Sequence, residues 1–414
     1  MLRGKYDKPS EKGEINRFQA LSTSLSGTVG LGNIAGVAVA VSAGGPGAVF
    51  WMAVMGLFGM SAKFAEAALG VKYRAYPDPK RPEVISGGPM YYIRAAFEKT
   101  RFPKIGVFLG GLFAVCCIGG AIGAGNMFQA NQSFQQLVHV TGGTEGFLAD
   151  KGWLYGMIMA VLVGAVIIGG LKSIVKVTTK IVPMMGAIYL LAGLVVIASN
   201  AHNIIPSLII IFQMALTPEA GFGAVIGSLL MGVQRAAFSN EAGVGSAGIV
   251  HATARTDVPV SQGFVGMLGP FIDTIIICMV TALVIVISGV YEGGSGMEGV
   301  SLTSRAFEST LSWFPYVLTL TVLFFAYSTM IAWFYYGLKC LTYLTGENAI
   351  VEMAYKIMFC LCTIIGASSA LDSIILFSDS MIFAMAIPNV IGLYILAPEL
   401  KKDIKKYIQS IDKW

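Results

Sequence analysis

Apolar segments long enough to cross a bilayer recur along the whole chain, and no other feature restricts its fold so tightly. About 20 residues of helix span ~30 Å of hydrocarbon, and at that depth only helices or closed barrels satisfy their own backbone groups. Ten segments qualify, at 18–42, 47–72, 106–138, 153–170, 174–199, 222–251, 262–290, 313–345, 350–367 and 373–398. An eleventh run, "IIPSLIIIFQMAL" (204–216), is too short and has a proline near its start, which predicts an interfacial or half-inserted helix. With 55% hydrophobic and 12% charged residues, the chain lacks the polar surface of a water-soluble globule. Its 50 glycines suit helices that approach closely in lipid. The expected class is an all-α integral membrane protein.

Basic residues orient the spans, because short cytoplasmic loops collect them. With ten spans and both termini inside, the inner segments hold 24 Lys and Arg, and the outer loops hold Lys151 and Arg305. Counting 204–216 as a full span would turn the last five lysines outward. The division that follows is a cytoplasmic segment at 1–17, a first five-helix unit at 18–199, an outer loop with a short helix at 200–221, a second five-helix unit at 222–398, and a basic tail at 399–414. The start is polar and lacks the apolar stretch of a cleavable signal peptide, so the first span is expected to drive insertion.

Two spans are interrupted. "GTVGLGNIAG" (27–36) sets four glycines, a threonine and an asparagine inside the first span, and "SNEAGVGSAG" (239–248) interrupts the sixth. Five spans separate the two breaks, and because five is odd the second set runs inverted. An inverted 5+5 repeat whose helices 1 and 6 are discontinuous points to a secondary transporter with its site at the repeat interface. Irregular backbone at depth is tolerated where protein or a water-lined cavity satisfies it. It then offers N–H groups to a carboxylate and carbonyls to an ammonium group or a sodium ion. Both breaks also hold polar side chains: Thr28 and Asn33 in one, Ser239, Asn240 and Glu241 in the other.

"GGPGAVFWMAVMGLFGM" (44–60), "GNIAGVA" (32–38), "GGPMYYI" (87–93), "GNMFQ" (125–129) and "FSNEAGVGSA" (238–247) together resemble the alanine or glycine:cation symporters, from about residue 14 to 398. The resemblance implies sodium-coupled, less often proton-coupled, uptake of alanine or glycine. It also implies the inverted-repeat fold shared with the bacterial leucine transporter, and no organic cofactor. Members usually carry one more hydrophobic helix ahead of the "FQAL" segment, and Ala53 stands where tryptophan is common.

"GLGN" (30–33) is similar to the same letters in the first span of the neurotransmitter:sodium symporters. Carried over, Thr28, Gly30, Leu31, Gly32 and Asn33 line the substrate site, with the N–H groups around Leu31 and Gly32 on the carboxylate. Carbonyls of Ser26 and Val29, with hydroxyls of Ser328 and Thr329 from "FAYSTMIAW" (325–333), would hold sodium, a hard cation that prefers oxygen. Thr28, Asn33 and Ser239 form a second cation site by the same analogy. Gln129, within "GGAIGAGNMFQANQSF" (119–134), is expected to touch the substrate, and Asn126 and Asn131 lie nearby. Phe238 would close over a small side chain, and Trp333, one turn beyond Thr329, would line the same cavity.

Charges at depth need partners. Glu66 in "KFAEAALG" (63–70) matches a glutamate that braces the sixth helix in symporters of known fold. Arg235 and Glu241 are expected to pair with each other or with Glu66 and Asp273, whereas Asp372 and Asp379 are expected to be hydrated. The modest net charge of +5 suggests neither a nucleic acid nor an acidic partner. The six cysteines read as small buried hydrophobes. An enzyme would need a clustered acid–base, nucleophile or metal set, but His139, His202 and His251 all fall at span ends. An ion channel would need a filter loop, and none repeats. A symporter of another small solute on the same fold stays open.

Overall fold

A capping box opens the first helix: Asn16 Oδ1 accepts from the Gln19 N–H at 2.8 Å, and Gln19 Oε1 accepts from the Asn16 N–H at 2.9 Å. The computed structural model describes residues 12–77, 84–98, 100–216, 222–292 and 299–411. Of the sequence divisions above, residues 1–11, 78–83, 99, 217–221, 293–298 and 412–414 lie outside the described residues. The elements are α1 Arg17–Thr28, α2 Ala35–Gly44, α3 Gly47–Lys72, α4 Pro89–Glu98, α5 Pro103–Val140, α6 Gly152–Ile167, α7 Gly170–Ser199 and α8 Ile204–Leu216. Then follow α9 Phe222–Asn240, α10 Ser246–His251, α11 Pro259–Ser288, α12 Val300–Glu308, α13 Phe314–Thr345, α14 Ala349–Ser368 and α15 Leu371–Ile411.

Among the described residues, seven helices (α3, α5, α7, α11, α13, α14 and α15) are long and apolar enough to cross a membrane. The pair either side of the first break, bent by 56°, makes an eighth. At the two other expected span positions lie α6, of 16 residues, and α9 followed after a break by α10. The chain is therefore a multi-pass, all-helical membrane protein. α8 covers the run expected to be interfacial, while α4 and α12 are short helices that the apolar scan, tuned to long segments, passed over.

α13 is the innermost of the long helices, with 72% of its apolar window buried against 22% for α14. It packs on α1, α5 and α7, while α3 packs on α9 and α11. Two long helices carry wide turns: a π segment at Gly123–Met127 in α5 and another at Phe271–Cys278 in α11. Such turns free carbonyls and rotate side chains inward. α15 runs straight through the expected boundary at 398 into the basic tail, despite Pro388 and Pro398. Packing explains it: Leu400 lies against Phe64, Ala68 and Val260, and Lys72 bonds both Glu399, at 2.6 Å, and Asp403.

Candidate substrate and cation site between two broken helices

α1 ends at Thr28, and Val29 donates its N–H back to Leu25 O at 2.6 Å. Gly30 is extended, Leu31–Asn33 form a single 3-10 turn, and α2 begins at Ala35. Two N–H groups of this break find side-chain oxygens. Gly30 N–H donates to Asn33 Oδ1 at 3.0 Å, and Leu31 N–H donates to Gln129 Oε1 at 3.1 Å. Glycine is required at 30 by close approach, because a Cβ there would sit 2.5 Å from Thr329 Oγ1 and 3.2 Å from Gln129 Oε1. Gln129 in turn donates Nε2–H to Ala124 O at 3.0 Å, within the π segment of α5. Its amide oxygen thus occupies the N–H group that the resemblance gave to a substrate carboxylate.

The last turn of α1 is stitched to α13. Thr329 Oγ1–H donates to Ser26 O at 2.9 Å, Ser26 Oγ–H donates to Ser328 O at 2.7 Å, and Trp333 Nε1–H donates to Gly27 O at 3.2 Å. Ser328 turns its own hydroxyl to Phe325 O, 3.1 Å away on the same helix. Ser26, Ser328 and Thr329 are fully or almost fully buried. They set neutral oxygens side by side, a donor set whose chemistry fits a hard monovalent cation.

The second break follows α9. Glu241 adopts φ +56°, the one positive φ of a non-glycine residue among those described, and Gly243 and Gly245 follow at +83° and +102°. The Gly243 peptide is held at both ends. Its N–H donates to Glu66 Oε1 at 2.8 Å, and its carbonyl accepts from Asn389 Nδ2 at 2.9 Å. Asn389 Nδ2 also donates to Glu66 Oε1 at 3.0 Å, and Asn389 Oδ1 accepts from the Tyr92 hydroxyl. The Ser246 hydroxyl donates to Glu241 Oε2.

The breaks touch. A Cβ on Gly32 would lie 3.4 Å from Ser239 Cα and 3.5 Å from Phe238 Cδ1. Asp273, in the π segment of α11, joins them chemically. Its Oδ1 accepts from Asn33 Nδ2 at 2.6 Å, and its Oδ2 accepts from the hydroxyls of Ser239 at 2.9 Å and Thr274 at 2.8 Å. Asp273 is fully buried, and these donors satisfy it in place of water.

Several expected residues stand elsewhere. Thr28 does not join Asn33 and Ser239: its hydroxyl makes long contacts, 3.4 Å, to Ser24 O and Leu25 O of its own helix, as hydroxyls in apolar helices commonly do. Arg235 pairs with none of Glu241, Glu66 and Asp273. Its Nη2 donates to Asp379 on α15, so Asp379 is an ion-pair partner rather than a hydrated end group. The reason is geometric: six residues along α9 carry Arg235 well over a turn away from Glu241, on the side that faces α15. The Arg235 guanidinium also lies 5.1 Å over the Phe238 ring, which meets Phe128 edge-on at 5.2 Å. Asn126 and Asn131 both donate into α14 or its end, to Phe359 O at 2.6 Å and to Gly366 O at 3.2 Å. Lys63, Asn389 and Tyr92 were not anticipated. A signal for Lys63 existed, since of 28 basic residues only Lys63 and Arg235 fall inside spans, away from the loops and ends.

Two broken helices lie side by side within a bundle of long apolar helices, and this fold is found among solved structures. MhsT in complex with L-phenylalanine superposes with a TM-score of 0.61 over 94% of this chain and 89% of that one, at 15% identity. In sequence the chain matches the sodium:alanine symporter family over residues 1–413, and it belongs to that family. It is 43% identical, over 97% of its length and 86% of the relative's, to the sodium/alanine symporter AgcS of Methanococcus maripaludis. It is 31% identical, over 96% of its length and 80% of the relative's, to a probable sodium/glutamine symporter, GlnT, of Bacillus subtilis.

Proposed function

We propose that this protein carries alanine and glycine into the cell together with sodium, by alternating access. Family membership supports a sodium-coupled amino-acid symporter, and the smallness of the substrate is argued from the site. The observation that carries the reading is the contact between the two breaks: Gly32 lies against Phe238 and Ser239, next to the Leu31 N–H that Gln129 Oε1 caps. A zwitterion between them would displace the Gln129 oxygen from Leu31 and present its carboxylate there. Phe238 and Trp333 would wall the substrate's side chain, and such a wall discriminates by about 1–3 kcal/mol per added methylene. Sodium would bind among Ser26, Val29, Ser328 and Thr329. Its donors are neutral oxygens, so the ion's charge would be offset by the substrate carboxylate nearby.

The same reading makes the chain ten spans, with α6 and the α9–α10 pair crossing alongside the eight long or bent ones. It arranges them as two inverted sets of five with both termini inside. One helix set rocks against the other around the breaks. Labelled alanine uptake into proteoliposomes, with and without an inward sodium gradient, tests it: sodium-driven accumulation, competed by glycine, is expected. Uptake driven equally by a pH gradient alone would reassign the ion, and indifference to alanine and glycine would overturn the substrate.

A further inference from the structure

Lys63 lies on α3, one turn before Glu66, and is fully buried. Its Nζ makes no hydrogen bond among the described residues. The nearest acidic oxygen is Glu241 Oε2 at 3.9 Å. Lysines in spans ordinarily extend their ammonium to water, and this one is buried. A buried ammonium persists in such a bundle where its charge answers another.

Glu241 presents the matching anomaly. It holds φ +56°, a conformation that strains any side chain and that glycine adopts freely, in a break where glycines stand at 243 and 245. A side chain kept there has work for its carboxylate. One oxygen accepts from Ser246, the first residue of α10, and faces Lys63.

We propose that Lys63 is a positioning residue of the second break: its ammonium is the counter-charge that holds Glu241 in its left-handed turn. With Glu66 on the same helix gripping the Gly243 peptide, α3 becomes the template on which the break is shaped. This rests on the reading of the breaks as the transport site. A separation of 3.9 Å without a hydrogen bond leaves the pair coupled but not latched, so the ammonium can follow Glu241 as α9 and α10 move. Other groups share the field. Lys63 acts also on Glu66, on His251 of α10 and on Asp273 of α11. Glu241 lies within electrostatic reach of Glu66, Asp273, Tyr336 of α13 and Cys117 of α5. One lysine therefore serves three buried acids, and its loss exposes Glu241 first because that pair is the close one.

The test compares Lys63→Met, Lys63→Arg, Glu241→Gln and the double variant Lys63→Met/Glu241→Gln with the native protein, by sodium-driven alanine uptake in proteoliposomes across pH. Lys63→Met should lose about tenfold or more at neutral pH, as expected for an unpaired buried charge. It should regain uptake as pH falls, because a protonated Glu241 no longer needs a counter-charge. Lys63→Arg should recover most of the loss, and the double variant should exceed Lys63→Met at neutral pH. A Lys63→Met protein with the native rate and pH profile overturns the proposal, as does a double variant no better than the single one. If Lys63→Met fails to insert, insertion and melting temperature recovered in the double variant support the pairing, and an equally defective double variant overturns it. A native protein that shows no sodium-driven uptake refutes the transport reading instead, and the pairing is then judged by the melting temperatures of the same set.

Discussion

Thr329 shows how much a single hydroxyl can be asked to do. It donates to Ser26 O at 2.9 Å and lies where a Cβ on Gly30 would collide, so it fixes both the carbonyl that sodium would use and the approach of the break. Removing it strips one oxygen from a small donor set. A bond to a charged partner contributes about 1.5–3 kcal/mol, so Thr329→Ala should raise the sodium concentration for half-maximal alanine uptake by about tenfold or more. An unchanged sodium dependence in proteoliposomes would remove Thr329 from the cation site. Ser328, whose hydroxyl bonds within its own helix to Phe325 O rather than across to α1, should matter less.

At the scale of the element, the second break is an interruption whose central peptide groups are bonded by neighbouring helices. α3 supplies Glu66 and α15 supplies Asn389, and together they bond both ends of the Gly243 peptide. Asn389→Ala would leave a buried carbonyl without its donor, which costs about 1–3 kcal/mol. The melting temperature in detergent should fall, and uptake with it. Glu66→Gln keeps an acceptor for the Gly243 N–H while removing the charge, so it should melt closer to the native protein than Asn389→Ala does. The reverse order would show that charge, and not the hydrogen-bond count, holds this turn. The π segments of α5 and α11 serve the same end, since each brings a polar group, Gln129 or Asp273, to the breaks.

For the whole molecule, the distribution of basic residues makes a prediction that depends on no site. Cysteines introduced at Asp150 and Lys405 should react with a membrane-impermeant thiol reagent from opposite sides: position 150 in intact cells, position 405 only after permeabilisation. Labelling of both from one side would refute an even number of spans with the termini inside. The native cysteines interfere little, since Cys116, Cys117, Cys278 and Cys340 are buried and Cys360 and Cys362 are half-buried on α14.

The amino-acid order by itself determined the solvent and the long apolar helices, because bilayer thickness fixes the length of apolar helix that must appear. It also marked where the helices break, because glycine and polar residues inside an apolar run have few other uses at depth. It could not choose partners among charges. Arg235 met Asp379, 144 residues away in sequence, rather than Glu241, six residues off, and Thr28 bonded its own helix while Asp273 took the place between Asn33 and Ser239. Short side-chain bonds act over about 3 Å, a distance set by how helices turn and cross in three dimensions. The wide turn in α11, which no periodicity announced, carries Asp273.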